Sequence, residues 1–411
     1  MNLTHIGSEY IATEEHNLRR TRLTTSEASE ARLDRLRVCM PSALDPQQLE
    51  AATAALNTAS SMPAGFYTSP DVFAQEVQHI HLKGWIFLCR DDMLASAGDY
   101  RSFETVGGPV MLVRGADGEL RAFANYCRHR GSMLVNGEGT SRRFICPYHA
   151  WSYALDGSLV TCPDMERAFD FDRSDNGLIP ISMESWAGFV FITFNDDAPP
   201  LVDHLGDFPK RMASHRLDEM RCTWRVAIMN ECNWKLILEN AMESYHTGIL
   251  HRDTVGRQES RTLVTEGGWR CIQVISGRSI ATLPGTPPSF PKIEGLDDDA
   301  RMGTYFTVIH PTVQFAIAQD CMWWLNVTPL DVDRTLLEVG GCFPQEFVEQ
   351  PGFAEKAAPY YERWEKVALE DVGILAHQQR ALMSVKYRPG RLSWRDDEVQ
   401  ALGQWVLRQL P

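Results

Sequence analysis

Two short cysteine–histidine pairs constrain this chain more than any other feature. Cys127-Arg-His129 and Cys146-Pro-Tyr-His149 form a C-x-H and C-x2-H pattern with sixteen residues between the pairs. Four such donors in two tight pairs point to one metal centre, so the segments carrying them must fold against each other. A structural Cys2His2 zinc site sets its two cysteines on one turn and its two histidines on a helix, whereas here each pair holds one of each. Alternating pairs suit a two-iron cluster in which two thiolates hold one iron and two imidazoles the other, the ligation of a Rieske [2Fe-2S] centre. Gly131 and Pro147 supply turn chemistry at the two loops. Tyr148 and Trp151 are placed either to shield the cluster or to pack the surrounding domain.

The rest of the composition narrows the class. With 44% apolar and 23% charged residues over 411 positions, the chain buries a substantial core and has room for two domains. The net charge of -14, from 54 acidic against 40 basic residues, argues against a nucleic-acid or anionic-membrane partner. The longest apolar run, Trp186 to Phe194, is far below the roughly 20 residues that span a bilayer and reads as a buried strand. The N-terminal residues carry no basic segment followed by an apolar stretch, so a cytoplasmic address is expected. In such a compartment Cys39, Cys89, Cys222, Cys232, Cys271, Cys321 and Cys342, among apolar or mixed neighbours, read as buried inert thiols.

Residues 1–60 read as a helical leader, with start signals at Thr24-x-x-Glu27 and Asp45-Pro46. Ser69-Pro70-Asp71 predicts another helix start. From 85 to 165, short β-rich runs separated by the turn dipeptides Asp117-Gly118 and Asp156-Gly157 predict a small antiparallel domain. Beyond it the pattern predicts a helix from Asn233 to His246, a long loop from Leu283 to Gly295 that could wall a site, strands over Tyr305–Phe315 and Met322–Phe343, and a helix over Tyr361–Leu382. The expected fold is α+β, with a small antiparallel β domain inserted in a larger antiparallel-sheet-plus-helix domain. The expected boundaries are a leader at 1–60, a cluster domain with its lead-in helix at 61–170 and a catalytic domain at 171–411.

The Asn233–His246 segment holds the second constellation. On a helix Glu239, Glu243 and His246 share one face, while Trp234, Leu238, Ala241 and Tyr245 form another, so carboxylates sit beside an imidazole on a buried element. That arrangement is costly unless they are paired or near a metal. His251 follows a turn at Gly248. Two histidines and one carboxylate make the facial triad of non-haem Fe(II) oxygenases. Glu243 is suited to accept from the far nitrogen of His246, and Asp371, 120 residues beyond His251, is the candidate third ligand with Glu370 as its rival.

These stretches resemble the catalytic α subunit of Rieske non-haem iron oxygenases. The resemblance runs from Gly65-Phe-Tyr-Thr-Ser-Pro-Asp-Val-Phe through Gly84-Trp-Ile-Phe, the segment Cys146-Pro-Tyr-His-Ala-Trp-Ser-Tyr and Gly188-Phe-Val-Phe-Ile to Glu370-Asp371. It implies that Cys127, His129, Cys146 and His149 hold the cluster, that His246, His251 and Asp371 hold a mononuclear iron, and that Glu243 bridges them across a subunit ring, commonly a trimer. Glu239-Asn240-x-x-Glu243-x-Tyr245-His246 looks more like the branch that oxidises carnitine, betaine and stachydrine than like the aromatic dioxygenases. Glu239, Asn240 and Glu243 are therefore the expected catalytic group, and hydroxylation or N-demethylation of a quaternary ammonium compound the expected activity.

Trp269, Tyr305, Trp323 and Trp324 lie where a pocket wall is expected, suited to a cation or equally to a planar aromatic substrate, although core packing is the better reading for each. No G-x-G-x-x-G stretch is present to bind a dinucleotide, so electrons must come from a separate NAD(P)H-dependent reductase, with or without a ferredoxin. The rival activities are ring hydroxylation of an aromatic compound or carboxylate, and electron transfer by a Rieske protein with a non-catalytic binding domain.

Overall fold

The computed structural model describes residues 44–411, so the start signal at Thr24-x-x-Glu27 and Cys39 lie outside the described residues. Asp45 caps helix α1 (Pro46–Thr53), accepting from the Gln48 N–H at 3.0 Å with Pro46 in the first turn. Ser69 caps α2 (Pro70–Glu76) in the same way, and the chain runs on through one wide π-helical turn at Val77–His81. The lead-in placed within the 61–170 boundary contributes its apolar side chains to the larger core. Phe66, Tyr67 and Ile80 share a core with Trp234, Leu238 and Trp364, so the insertion is flanked on both sides by chain belonging to the larger core.

The first sheet has the order β1-β10-β9-β4-β3-β2-β5, where β1 is Ile86–Arg90, β2 Asp99–Phe103, β3 Val110–Arg114, β4 Leu120–Ala124, β5 Glu138–Thr140, β9 Pro180–Trp186 and β10 Phe189–Thr193. The run Trp186 to Phe194 is a hairpin turn and strand rather than one strand. Ala187 and Gly188 both have positive φ, 49° and 80°, the backbone of a tight primed turn. β10 then pairs with β1, which carries this sheet past residue 170. A small second sheet, β6 (Phe144–Ile145), β7 (Ser152–Tyr153) and β8 (Leu159–Thr161), holds the other cysteine–histidine loop.

A seven-stranded antiparallel sheet follows, in the order β11-β17-β16-β15-β14-β13-β12. Its strands are β11 (Met220–Asn230), β12 (Ser260–Leu263), β13 (Trp269–Ile275), β14 (Gly303–Ile309), β15 (Val313–Ile317), β16 (Met322–Asp331) and β17 (Arg334–Pro344). The two predicted strand regions are therefore each a hairpin. One face packs on the first sheet through Phe87, Phe189, Phe315 and Trp324. The other is covered by α3 (Trp234–Ala241) and the 30-residue α4 (Phe353–Leu382), with α5 (Asp397–Gln409) closing the chain. Gly341 permits this cover, since a Cβ there would sit 1.9 Å from the Trp364 ring.

The Leu283–Gly295 loop does not wall a site. Phe290 inserts among Phe343, Phe347 and Tyr360, with ring centroids 5.0 to 5.7 Å away, so apolar burial draws the loop onto the core. Among the described residues no helix is long and apolar enough to cross a membrane.

Candidate metal centres and active site

The two cysteine–histidine loops are built alike. Gly131 N–H donates to Cys127 O at 2.9 Å and Ala150 N–H to Cys146 O at 3.0 Å, and both closing residues have positive φ, 75° and 59°. Each loop thus turns back on itself four residues after its cysteine. Cys127 and Cys146 are buried, while His129 and His149 reach the surface with ring centroids 4.7 Å apart. Trp151 stacks on His129 at 5.0 Å and Tyr148 on His149 at 3.8 Å. Tyr153 bonds the first loop, its hydroxyl lying 3.3 Å from Cys127 Sγ and accepting from Arg128 N–H at 3.0 Å. Burial acts upward on the Cys146 thiol, but the N–H groups of Tyr148 and His149 outweigh it and hold it below the usual range. Two thiols at the buried end and two imidazoles at the exposed end divide the donors as a two-iron cluster requires.

The second site is less regular than one long helix. Asn233 caps α3, accepting from Lys235 N–H at 3.1 Å, but the helix stops at Ala241. Glu243 then takes the N–H groups of Tyr245 and His246, the latter at 3.1 Å, and so caps a separate 3-10 turn at His246–Gly248. The side chain competes with helix continuation, and Glu239, Glu243 and His246 do not share one face. Glu239 instead enters a buried polar cluster, accepting from Tyr67 OH at 2.7 Å; burial pushes its carboxyl up to about 8. Beside it Lys235 pairs with Glu76 at 2.6 Å, both fully buried. Glu239 is absent from the cavity wall, in contrast to Asn240 and Glu243.

His246, His251 and Asp371 come together. Their donor atoms lie within 4.8 Å of one another, a geometry that could hold a metal ion. Each imidazole has a carboxylate behind it. His246 Nδ1 contacts Glu243, and His251 Nδ1 lies 2.7 Å from Glu370, which also accepts from Thr254 Oγ1 at 2.6 Å. His251 Nε2 lies 3.0 Å from Asp371 Oδ1, to which Asn240 Nδ2 donates at 3.3 Å. The rival acids Glu370 and Asp371 thus sit on opposite nitrogens of one ring, and Asp371 is on the open side. Burial acts downward on the His251 imidazole, but the two carboxylates outweigh it and raise its pKa.

These groups border a cavity of about 100 Å³ between α4 and the sheet, walled by Phe306, Trp323 and Trp364. Of the four aromatic residues expected there, Trp323 alone lines it. Trp269, Tyr305 and Trp324 point to the opposite face and join the core against the first sheet, because adjacent strand residues alternate sides. Sequence reading missed Phe306, Trp364 and Arg363. For the last two the signal was available, since Arg363, Val367 and Asp371, and likewise Trp364, Ala368 and Asp371, recur at helical spacing along one face of α4.

Comparison with known proteins agrees with this layout. Residues 84–179 match the Rieske [2Fe-2S] domain, and residues 210–411 match the ring hydroxylating alpha subunit (catalytic domain). The carnitine monooxygenase oxygenase subunit of Escherichia coli (strain K12) is 38% identical over 194 residues, which cover 46% of this chain and 52% of that protein. The first such relatives are therefore matched over about half of their length. The glycine betaine monooxygenase oxygenase subunit of Chromohalobacter salexigens is 27% identical over 371 residues, 81% of this chain and 82% of that one. Among solved structures, the quaternary ammonium Rieske monooxygenase CntA in complex with gamma-butyrobetaine superposes with a TM-score of 0.73 at 26% identity, covering 88% of this chain and 99% of the other. A naphthalene 1,2-dioxygenase shares the fold, with a TM-score of 0.67 at 20% identity over 82% of this chain and 84% of that one. A Rieske domain followed by this catalytic domain shows that the chain belongs to the Rieske non-haem iron oxygenases of α-subunit form.

Proposed function

We propose that this chain is the oxygenase subunit of a Rieske monooxygenase that hydroxylates a carbon next to the nitrogen of a small quaternary ammonium compound, with N-demethylation as one outcome. The observation that carries this reading is that His246, His251 and Asp371 border a cavity with aromatic walls, apart from the buried thiol pair. A cavity of about 100 Å³ favours a compact molecule, since an engineered cavity of about 150 Å³ holds one benzene.

Cys127, Cys146, His129 and His149 would hold the cluster, and His246, His251 and Asp371 the iron. When bound, the cluster supplies single electrons and the mononuclear iron supplies dioxygen chemistry. The protein's own work is to orient these groups and exclude water. Glu243 and Glu370 fix the ring planes of His246 and His251 through Nδ1, which leaves Nε2 as the donor of each and raises its basicity. Asn240 occupies one oxygen of Asp371 and steadies that carboxylate. Phe306 and Trp364 line the cavity, and a cation seated over either ring would gain about 0.5 to 2 kcal/mol per contact. Glu243, between His246 and the exposed Tyr245, is the group through which a neighbouring subunit's His129 or His149 would couple to this site in a homotrimer.

The implied partners are an NAD(P)H-dependent reductase, with or without a ferredoxin, in the cytoplasm. The test is NADH-driven oxygen uptake with a reductase of this class against carnitine, glycine betaine, choline and benzoate, with aldehyde detection. Product from a quaternary amine supports the reading, and turnover of benzoate alone defeats it.

A further inference from the structure

Arg363 is the one strongly basic side chain on the cavity wall, eight residues before Asp371 on α4. Its side chain is 4% exposed, and its guanidinium carbon lies 4.9 Å from the Trp323 ring centroid. Among the described residues it makes no ion pair and no hydrogen bond, and Nε is left without a partner. The nearest acids are committed elsewhere on α4, Glu370 to His251 and Thr254 and Asp371 to His251 and Asn240. A buried guanidinium without an anion is costly to keep. Its environment acts in the same sense, burial lowering its pKa to about 10, which leaves it cationic at neutral pH.

We propose that Arg363 receives an anionic carboxylate of the substrate, so that the cavity takes a zwitterion with its ammonium end toward Asp371 and Glu243. This rests on the reading that the cavity is the substrate site for quaternary amines. Both charges line the same cavity, Arg363 one and Asp371 the other. Eight residues of helix set their Cα atoms about 12 Å apart along the axis, so a carboxylate and an ammonium separated by a few bonds meet different parts of the wall. Trp323 is already covered by the guanidinium, so the ammonium group is left to Phe306 and Trp364. A quaternary ammonium alcohol fits one end only and leaves Arg363 without a counter-ion.

The experiment measures dissociation constants on metal-replete protein, under anaerobic conditions, for γ-butyrobetaine, choline and benzoate. Wild-type protein is expected to bind γ-butyrobetaine at least tenfold more tightly than choline. Arg363→Gln should weaken γ-butyrobetaine by about 10- to 100-fold, the worth of a charged hydrogen bond, while choline changes less than about threefold. Arg363→Lys should recover part of the loss. An unchanged visible cluster spectrum and melting temperature show that the variants are folded, and the wild-type comparison needs no variant. Equal wild-type affinities for choline and γ-butyrobetaine, an equal loss of both in Arg363→Gln, or no binding by any probe overturns the proposal. Binding of benzoate that depends on Arg363, with neither amine bound, upholds the carboxylate role and removes the quaternary ammonium reading instead.

Discussion

The two candidate ligand sets offer the same imidazole chemistry and support it differently. In the cluster loops the histidines are exposed and steadied by stacked rings, Trp151 on His129 and Tyr148 on His149, while the cysteines are buried. At the second site each histidine is backed by a carboxylate, Glu243 behind His246 and Glu370 behind His251. The difference follows from what anchors each group. Two thiolates would hold a cluster strongly, so its imidazoles would need only to be oriented and could stay at the surface for electron exchange. A single ferrous ion on two neutral imidazoles and one carboxylate would be held less strongly, and hydrogen-bonded acids behind the rings raise ligand basicity.

Loss of ligands should separate the sites most strongly. Asp371→Ala is expected to lower iron from about three to about two per chain with the visible cluster spectrum intact. Cys146→Ser should bleach that spectrum. If Glu370→Ala empties the mononuclear site and Asp371→Ala does not, the ligand assignment is wrong. Next comes Glu243→Ala, which at saturating Fe(II) should retain both metals yet lose turnover by about 100-fold or more; steady-state activity equal to wild type removes the bridging role.

A smaller effect is expected from Glu370→Gln, a weakening of iron affinity by about 10- to 100-fold, read by titrating apo protein with Fe(II). No corresponding loss should follow Trp151→Leu, which lacks a carboxylate to remove. The smallest is Ala150→Gly. The left-handed backbone at Ala150 costs about 1 kcal/mol for a residue with a Cβ, so glycine should raise stability slightly in a denaturant titration, as the matching Gly131 already permits. A destabilised Ala150→Gly breaks the likeness between the two loops.

Much of the molecule could be read locally. Asp45-Pro46 and Ser69-Pro70 mark their helices because capping and the fixed proline φ are set by neighbours in sequence. Asp117-Gly118 and Asp156-Gly157 lie between paired strands for the same reason. Ala187-Gly188 escaped because the apolar run around it continues through the turn. β11 escaped because most of its residues are half-buried, which blurs a period of two. The helix over Asn233–His246 was read too long because propensity does not show that the Glu243 carboxylate caps a new turn.

The sequence by itself determined the ligand types, their spacing and hence the metal chemistry, because coordination depends on residue identity and on loops a few residues long. Only the tertiary structure decided which of two adjacent acids faces the open side of His251, which aromatic residues wall the cavity, and that Glu239 turns toward Tyr67. Those outcomes depend on how α3 and α4 lie on the sheet, and a shift of one residue on a strand or helix moves a side chain from the cavity to the core. The buried guanidinium of Arg363 belongs to the same class. Its lack of a partner is a property of every neighbour around it, which no local pattern in the chain records.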